Sequence, residues 1–266
     1  MRKLVEYLIV SGRCVETRRC ILDVSPRTRM GRKSRSKRIA GNSSARKIAA
    51  NEKEAVRRLA RIINCNFKAG DLWLQLKYSD ERLPEDMEAA KKEVSKFLRN
   101  VGGRYRKETG KSLRYVLTTS DTDPRTGKKV RLHHHLVMDR AAWEVVTRYW
   151  PEDQCGYVLL DGRGDYTGIA RYMVSNACKD AHAKKWSSSR GLEKPIYTEP
   201  VIVRDVDGIQ APEGALVKEK TIIDDEETGL RYGYVRAVTF PRTRGGDPRS
   251  FALSYCTASF SPHTRG

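Results

Sequence analysis

The chain has no Cys-x-x-Cys pair and none of the cysteine and histidine spacings of a zinc finger. Its cysteines, Cys14, Cys20, Cys65, Cys155, Cys178 and Cys256, are therefore read as reduced thiols of a cytosolic protein. No stretch approaches 18 consecutive apolar residues, and Leu8-Ile9-Val10 is too short for a signal core. Neither a membrane span nor a secretory leader is expected. Histidine is scarce, with 5 in 266 residues. Acidic residues are outnumbered, 33 Asp plus Glu against 52 Lys plus Arg, for a formal charge of +19. The excess is uneven: residues 1–60 hold 17 Lys/Arg and only 5 Asp/Glu. Such a skew suits a polyanionic partner, and without a membrane segment that partner is expected to be nucleic acid.

Apolar residues make up 39% of the chain, enough for a buried core. Residues 1–24 hold two short apolar runs that read as a hairpin, and 25–43 (SPRTRMGRKSRSKRIAGNS) read as a mobile basic arm. Together, 1–43 form a basic extension. A helix is expected over 44–64, a period-2 strand over 71–78, and a helix from Pro84 that Gly102-Gly103 ends. Strands at 115–119 and 130–138 form a hairpin. A short helix to Trp150, a strand at 157–160 and a helix over 167–179 follow. The order β-α-β-β-α-β-α predicts an α+β fold, an antiparallel sheet of about five strands backed by helices. Residues 44–195 would form this domain, and 196–239 a further hairpin.

Three of the five histidines stand together in Leu132-His133-His134-His135-Leu136-Val137-Met138, inside what otherwise reads as a buried strand. Side chains alternate on a strand, so His133 and His135 share a face roughly 7 Å apart. Two neutral imidazoles so placed suit one divalent metal, and a polar patch on an exposed strand is the competing explanation. Tyr172 lies on the last helix of the domain. If that helix crosses the sheet over the histidine strand, its hydroxyl becomes a nucleophile beside a metal-bound phosphate. Otherwise it is a half-buried helix residue.

These residues, in this order, resemble the HUH endonucleases, and specifically the rolling-circle replication initiators of bacterial plasmids and small single-stranded DNA phages. The resemblance covers about 170 positions. It is carried by Asn66 to Trp73 before the first central strand, by Arg131 to Val137 with His134 in the middle, by Trp150, by Tyr172, and by Trp186-Ser187-Ser188-Ser189-Arg190-Gly191-Leu192-Glu193-Lys194-Pro195.

The resemblance implies an HUH, ferredoxin-like sheet and a cofactor, Mg²⁺ or Mn²⁺, on His133, His135 and one further polar ligand. It implies that Tyr172 attacks single-stranded DNA at a replication origin. The products are a free 3′-OH and a 5′-phosphotyrosyl link, which a later transfer rejoins. The partners implied are that origin and the host replication machinery, in the cytoplasm of a bacterial host cell.

The chain departs from the family in three places. Family members usually carry Glu where Ser120 and Asp121 stand, so Asp121 is taken as third ligand, with a turn aspartate as the alternative. The family's Leu-Thr-Tyr is Leu76-Lys77-Tyr78 here. The lysine expected three or four residues after the tyrosine is replaced by Ser175 and Asn176, and Lys179 is the candidate to reach the phosphate. These changes leave a catalytically degenerate DNA-binding protein as the alternative. Tyr166 stands six residues before Tyr172, off the face that a paired tyrosine would need, so a single nucleophile is expected.

Arg13, Arg18, Arg19, Arg32, Lys33, Arg35, Lys37 and Arg38 are the candidate DNA-backbone contacts of the N-terminal region. Arg171, Trp186 and Arg190 are candidates on the domain itself, Trp186 by stacking on a base or simply by packing. Pro241-Arg242-Thr243-Arg244-Gly245 and Pro262-His263-Thr264-Arg265-Gly266 resemble one palindromic GC-rich DNA repeat translated in two frames. Residues 240–266 are therefore expected to be a disordered or run-on tail.

Overall fold

In the strand Leu72–Leu76 (β3), Leu72, Leu74 and Leu76 are fully buried while Trp73 and Gln75 are only partly so. That alternation follows from the pleat and sets which residues reach each side of the sheet. The computed structural model describes residues 2–23, 45–123, 126–177, 185–225 and 230–240. In chain order its elements are β1 (Arg2–Ser11), β2 (Cys14–Asp23), α1 (Ala45–Asn66), β3, α2 (Met87–Thr109), β4 (Tyr115–Thr122), β5 (Lys129–Met138), α3 (Trp143–Tyr149), β6 (Cys155–Leu159) and α4 (Thr167–Asn176). Short strands β7 (Ser187–Ser188), β8 (Ile196–Tyr197) and β9 (Val201–Ile202) follow, then β10 (Leu216–Asp225) and β11 (Leu230–Val238). The fold is α+β, with two antiparallel sheets.

The chain divides into two compact units, one spanning Glu52–Lys194 and the other formed by 1–51 with 195–266. The first is built on a five-stranded sheet of order β6-β3-β5-β4-β7. One face buries Leu72, Leu74, Leu76, Leu136 and Met138 against Val94, Phe97 and Val101 of α2, Val146 of α3, and Trp150. The other buries Val116 and Val137 against Leu59 and Ile63 of α1, Phe67, and Ala170, Met173 and Val174 of α4. Each fully buried Leu, Ile or Val side chain contributes about 1.5–3 kcal/mol of transfer free energy.

Helix α2 runs a turn and a half past Gly102-Gly103. Its buried stripe continues from Val101 to Tyr105, and a Cβ on Gly103 would meet no neighbour within 4 Å. Packing carries the helix through both glycines, and Gly110, at φ 71°, closes it in the left-handed conformation. At the other end Asp86 caps it, accepting the Ala89 N–H at 2.7 Å. In α1, Leu59 and Ile63 are buried while Ile48, nearer the start of the helix, is exposed.

The second unit is a six-stranded sheet in which β10-β11-β2-β1-β8 are successive neighbours and β9 also pairs with β1. The N-terminal hairpin and the 196–239 hairpin, which sequence reading separates into two extensions, share this one sheet. Tyr234 pairs with Arg18 across more than 200 residues, a pairing with no local signal in the sequence. It also fixes the nearby arginines. Nε of Arg19 donates to Glu6 at 2.5 Å and its Nη1 to the Asp205 carbonyl at 3.0 Å. Arg18 reaches Glu16 and lies over the Tyr234 ring, and Arg13 donates to the Thr239 carbonyl. Arg13, Arg18 and Arg19 are thus engaged within this unit rather than held out as a phosphate footprint. The arm candidates Arg32, Lys33, Arg35, Lys37 and Arg38, and the tail from 241, lie outside the described residues.

Candidate active site

The pleat sorts the three histidines. His134 pairs with Leu76 and Thr119 and points to the α2 side, while His135 pairs with Gln75 and Thr118 and His133 with Ser120. Cross-strand partners share a face, so His133, His135, Gln75, Thr118 and Ser120 look toward α1 and α4.

His134 is a core residue. Its Nε2 lies 2.6 Å from the Tyr78 hydroxyl and its Nδ1 2.9 Å from the Thr119 hydroxyl, so both nitrogens are satisfied. Burial, with a smaller contribution from His133 and His135, pushes its pKa down to about 3 and keeps it neutral. Burial likewise raises the Tyr78 hydroxyl pKa, which keeps that partner protonated.

His133 and His135 bring their Nε2 atoms to 3.1 Å, with the rings nearly perpendicular. The Arg131 carbonyl can only accept, so Nδ1 of His133, 2.8 Å away, is the donor. In the neutral ring this puts the lone pair on Nε2 of His133, which His135 can meet by donating from its own Nε2. Burial and the neighbouring His133 push the His135 pKa down to about 3, so this ring too is neutral. With the His135 proton on Nδ1 instead, both Nε2 atoms would offer a lone pair to one divalent ion. Two nitrogens 3.1 Å apart match adjacent ligands roughly 2.2 Å from one octahedral centre.

Helix α4 delivers Tyr172 to the same place. Its ring packs edge-on against His135, centroids 5.0 Å apart, and against Trp73 at 5.4 Å. Ala170, Met173 and Val174 anchor the helix in the core and leave Tyr172 39% exposed. Among the described residues no hydrogen bond engages its hydroxyl. A cleft of about 720 Å³ opens here, lined by Gln75, Lys77, Arg131, His133, Tyr172 and Asn176 among others. Comparison of the chain with known protein families, with curated proteins and with solved structures gives no match.

Of the residues singled out by sequence, the structure gathers His133, His135 and Tyr172. It does not bring Asp121 to them. Thr118 and Ser120 hold the histidine face of β4, and Asp121 accepts from the Thr122 hydroxyl at 2.9 Å. Among the described residues no third His, Cys, Asp or Glu joins the pair. Gln75 and Thr118 both pair with His135, and of the two Gln75 lines the cleft, which makes its amide oxygen the candidate third donor. Its signal was present in the sequence, since the Leu72-Leu74-Leu76 alternation places residue 75 on the opposite face.

Ser175 and Asn176, standing where the family has its lysine, both donate to the Tyr172 carbonyl, at 3.0 and 2.8 Å. Lys179 lies outside the described residues. Tyr166 is buried, and its hydroxyl donates to the Asp161 carbonyl at 2.9 Å. It is a packing residue of the core between the sheet and helices α1 and α4.

Trp186 is half-buried against the α1 and α4 core, which supports packing over base stacking. Arg171 and Arg190 are exposed, and Arg190 lines a different groove from Tyr172. The 186–195 run has a structural use. Ser187 and Ser188 extend the sheet along β4, and Asn66 clamps Glu193 by accepting its N–H at 2.8 Å and donating to its carbonyl at 2.9 Å.

Proposed function

We propose that the chain is a metal-dependent single-stranded DNA nicking and joining enzyme of the HUH type, serving as a rolling-circle replication initiator. The observation carrying this reading is the contact of the Tyr172 ring with His135, whose Nε2 faces that of His133 at 3.1 Å. A tyrosine on one helix and a histidine pair on a strand meet beside one cleft, which His133 and Tyr172 line. The net charge of +19 suits the substrate.

His133, His135 and the Gln75 amide oxygen would hold Mg²⁺ or Mn²⁺. The ion, when bound, polarises a phosphoryl oxygen and offsets charge in the transition state. The Tyr172 oxygen attacks phosphorus and gives up its proton. The bond from phosphorus to the 3′ oxygen breaks, and that oxygen leaves as a hydroxyl once protonated. The 5′ side stays on Tyr172 as a phosphodiester, so the bond energy is retained and the reverse attack by a 3′-OH rejoins the strand. Trp73 and His135 hold the ring from two sides, which limits the orientations of the hydroxyl.

The DNA partner would be the origin of the encoding replicon, with the host replication machinery acting in the bacterial cytoplasm. Among the described residues no helix is long and apolar enough to cross a membrane. The test is incubation with single-stranded DNA from that replicon and Mn²⁺, read on a denaturing gel beside Tyr172→Phe. A metal-dependent protein–DNA band lost in the variant is expected. A band that survives the substitution refutes Tyr172 as nucleophile, and DNA retained with no adduct assigns binding without cleavage.

A further inference from the structure

We propose that Lys77 supplies the cation that grips the DNA phosphate entering the Tyr172 cleft, a position the sequence pattern assigned to helix α4. This deepens the nicking reading and rests on it. A phosphodiester brought to His133 and Tyr172 carries a full negative charge into a partly desolvated cleft, and a charge-assisted contact is the strongest way to hold it there.

On helix α4, Ser175 and Asn176 are turned back onto the Tyr172 carbonyl, and Arg171, though next to the tyrosine in the chain, is not among the residues lining the cleft. Strand β3 leads to a cation that does line it. The alternation of buried and open side chains runs unbroken from Leu72 to Tyr78, so Trp73, Gln75 and Lys77 share the histidine face. Although residue 77 lies just past the last strand residue, its backbone is pinned on both sides. Its N–H donates to the Gln154 carbonyl, and its carbonyl accepts from Trp150 Nε1, each at 2.9 Å. The side chain therefore leaves from a fixed point into the cleft that also holds Tyr172.

Two carboxylates, Asp80 and Asp123, line the same cleft, as does Arg131. Arg131 is paired with Asp80 through Nη1 at 2.5 Å. Lys77 is exposed and makes no ion pair among the described residues, so it can meet an anion without first giving up a partner.

The test uses the full chain with Lys77→Met, Lys77→Arg and Tyr172→Phe, a single-stranded oligonucleotide from the encoding replicon, and Mn²⁺. Single-turnover adduct formation and the salt dependence of binding are measured together. Lys77→Met is expected to slow adduct formation about ten- to hundredfold, the loss of one charge-assisted contact. The slope of log affinity against log salt should fall by about 0.7, one phosphate contact on a single strand. Lys77→Arg should recover most of both, which a purely structural role would not predict. A Lys77→Met protein that reacts and binds like the parent overturns the proposal. Absence of any Tyr172-dependent adduct from the parent defeats the nicking reading instead, and the salt slope then decides Lys77 by itself.

Discussion

Mild acid should destabilise this protein through His134. The folded chain holds this imidazole neutral, with its pKa lowered from 6.5 to about 3 by burial, whereas the unfolded chain titrates it normally. Between those values the unfolded state binds the extra proton. Stability is therefore complete above pH 6.5 and falls as the pH drops toward 3. At pH 5 the loss from this residue is about 2 kcal/mol, at about 1.4 kcal/mol per pH unit. His135 is depressed by the same cause and loses stability over the same window. The assay is urea unfolding between pH 7.5 and 5 with metal chelated, comparing the parent with His134→Gln. Glutamine keeps a donor and an acceptor for Tyr78 and Thr119 but cannot be protonated. It should remove about half of the pH dependence. A parent whose stability is flat from pH 7.5 to 5, or a variant that keeps the full dependence, would refute the argument.

Tyr78→Phe removes the hydroxyl 2.6 Å from the buried Nε2 of His134 and should cost about 1–3 kcal/mol in urea unfolding; a loss near zero would show the contact to be replaceable. Leu136→Ala empties a fully buried position between the sheet and α2, with an expected loss of about 2–5 kcal/mol. In the six-stranded sheet, a Cβ on Gly233 would meet Ile209 Cδ1 at 3.0 Å and Val206 Cγ1 at 3.2 Å. Gly233→Ala should therefore lower stability by about 1–3 kcal/mol, and an unchanged Tm would mean that the loop over it yields freely. Asn66→Ala releases both clamps on Glu193, so amide exchange at Glu193 should accelerate while β3 and β5 stay protected. Equal protection of Glu193 in both proteins would assign that segment's order to other contacts.

The alternation of Leu72, Leu74 and Leu76, the helical stripe of Val94, Phe97 and Val101, and the histidine run on a strand were legible because each is a local periodicity. One face of each element must be apolar, and the chain repeats that demand every two residues or every three to four. The same periodicity separates His134 from His133 and His135. Local signals misled where packing outweighed propensity. Gly102-Gly103 reads as a helix stop, yet the buried stripe on either side carries α2 to Gly110.

By itself the sequence determined the α+β class, the antiparallel hairpin that bears the histidines and the helix that bears Tyr172. Only the tertiary structure decided what meets what. It set Tyr172 against His135 and Trp73, placed Gln75 opposite His135 where Asp121 had been expected, and joined the two terminal hairpins into one sheet. The physical reason is that faces are fixed by bonds between neighbouring residues, while register across strands and the docking of helices are fixed by packing between segments far apart in the chain. That packing leaves no periodic trace in either segment alone.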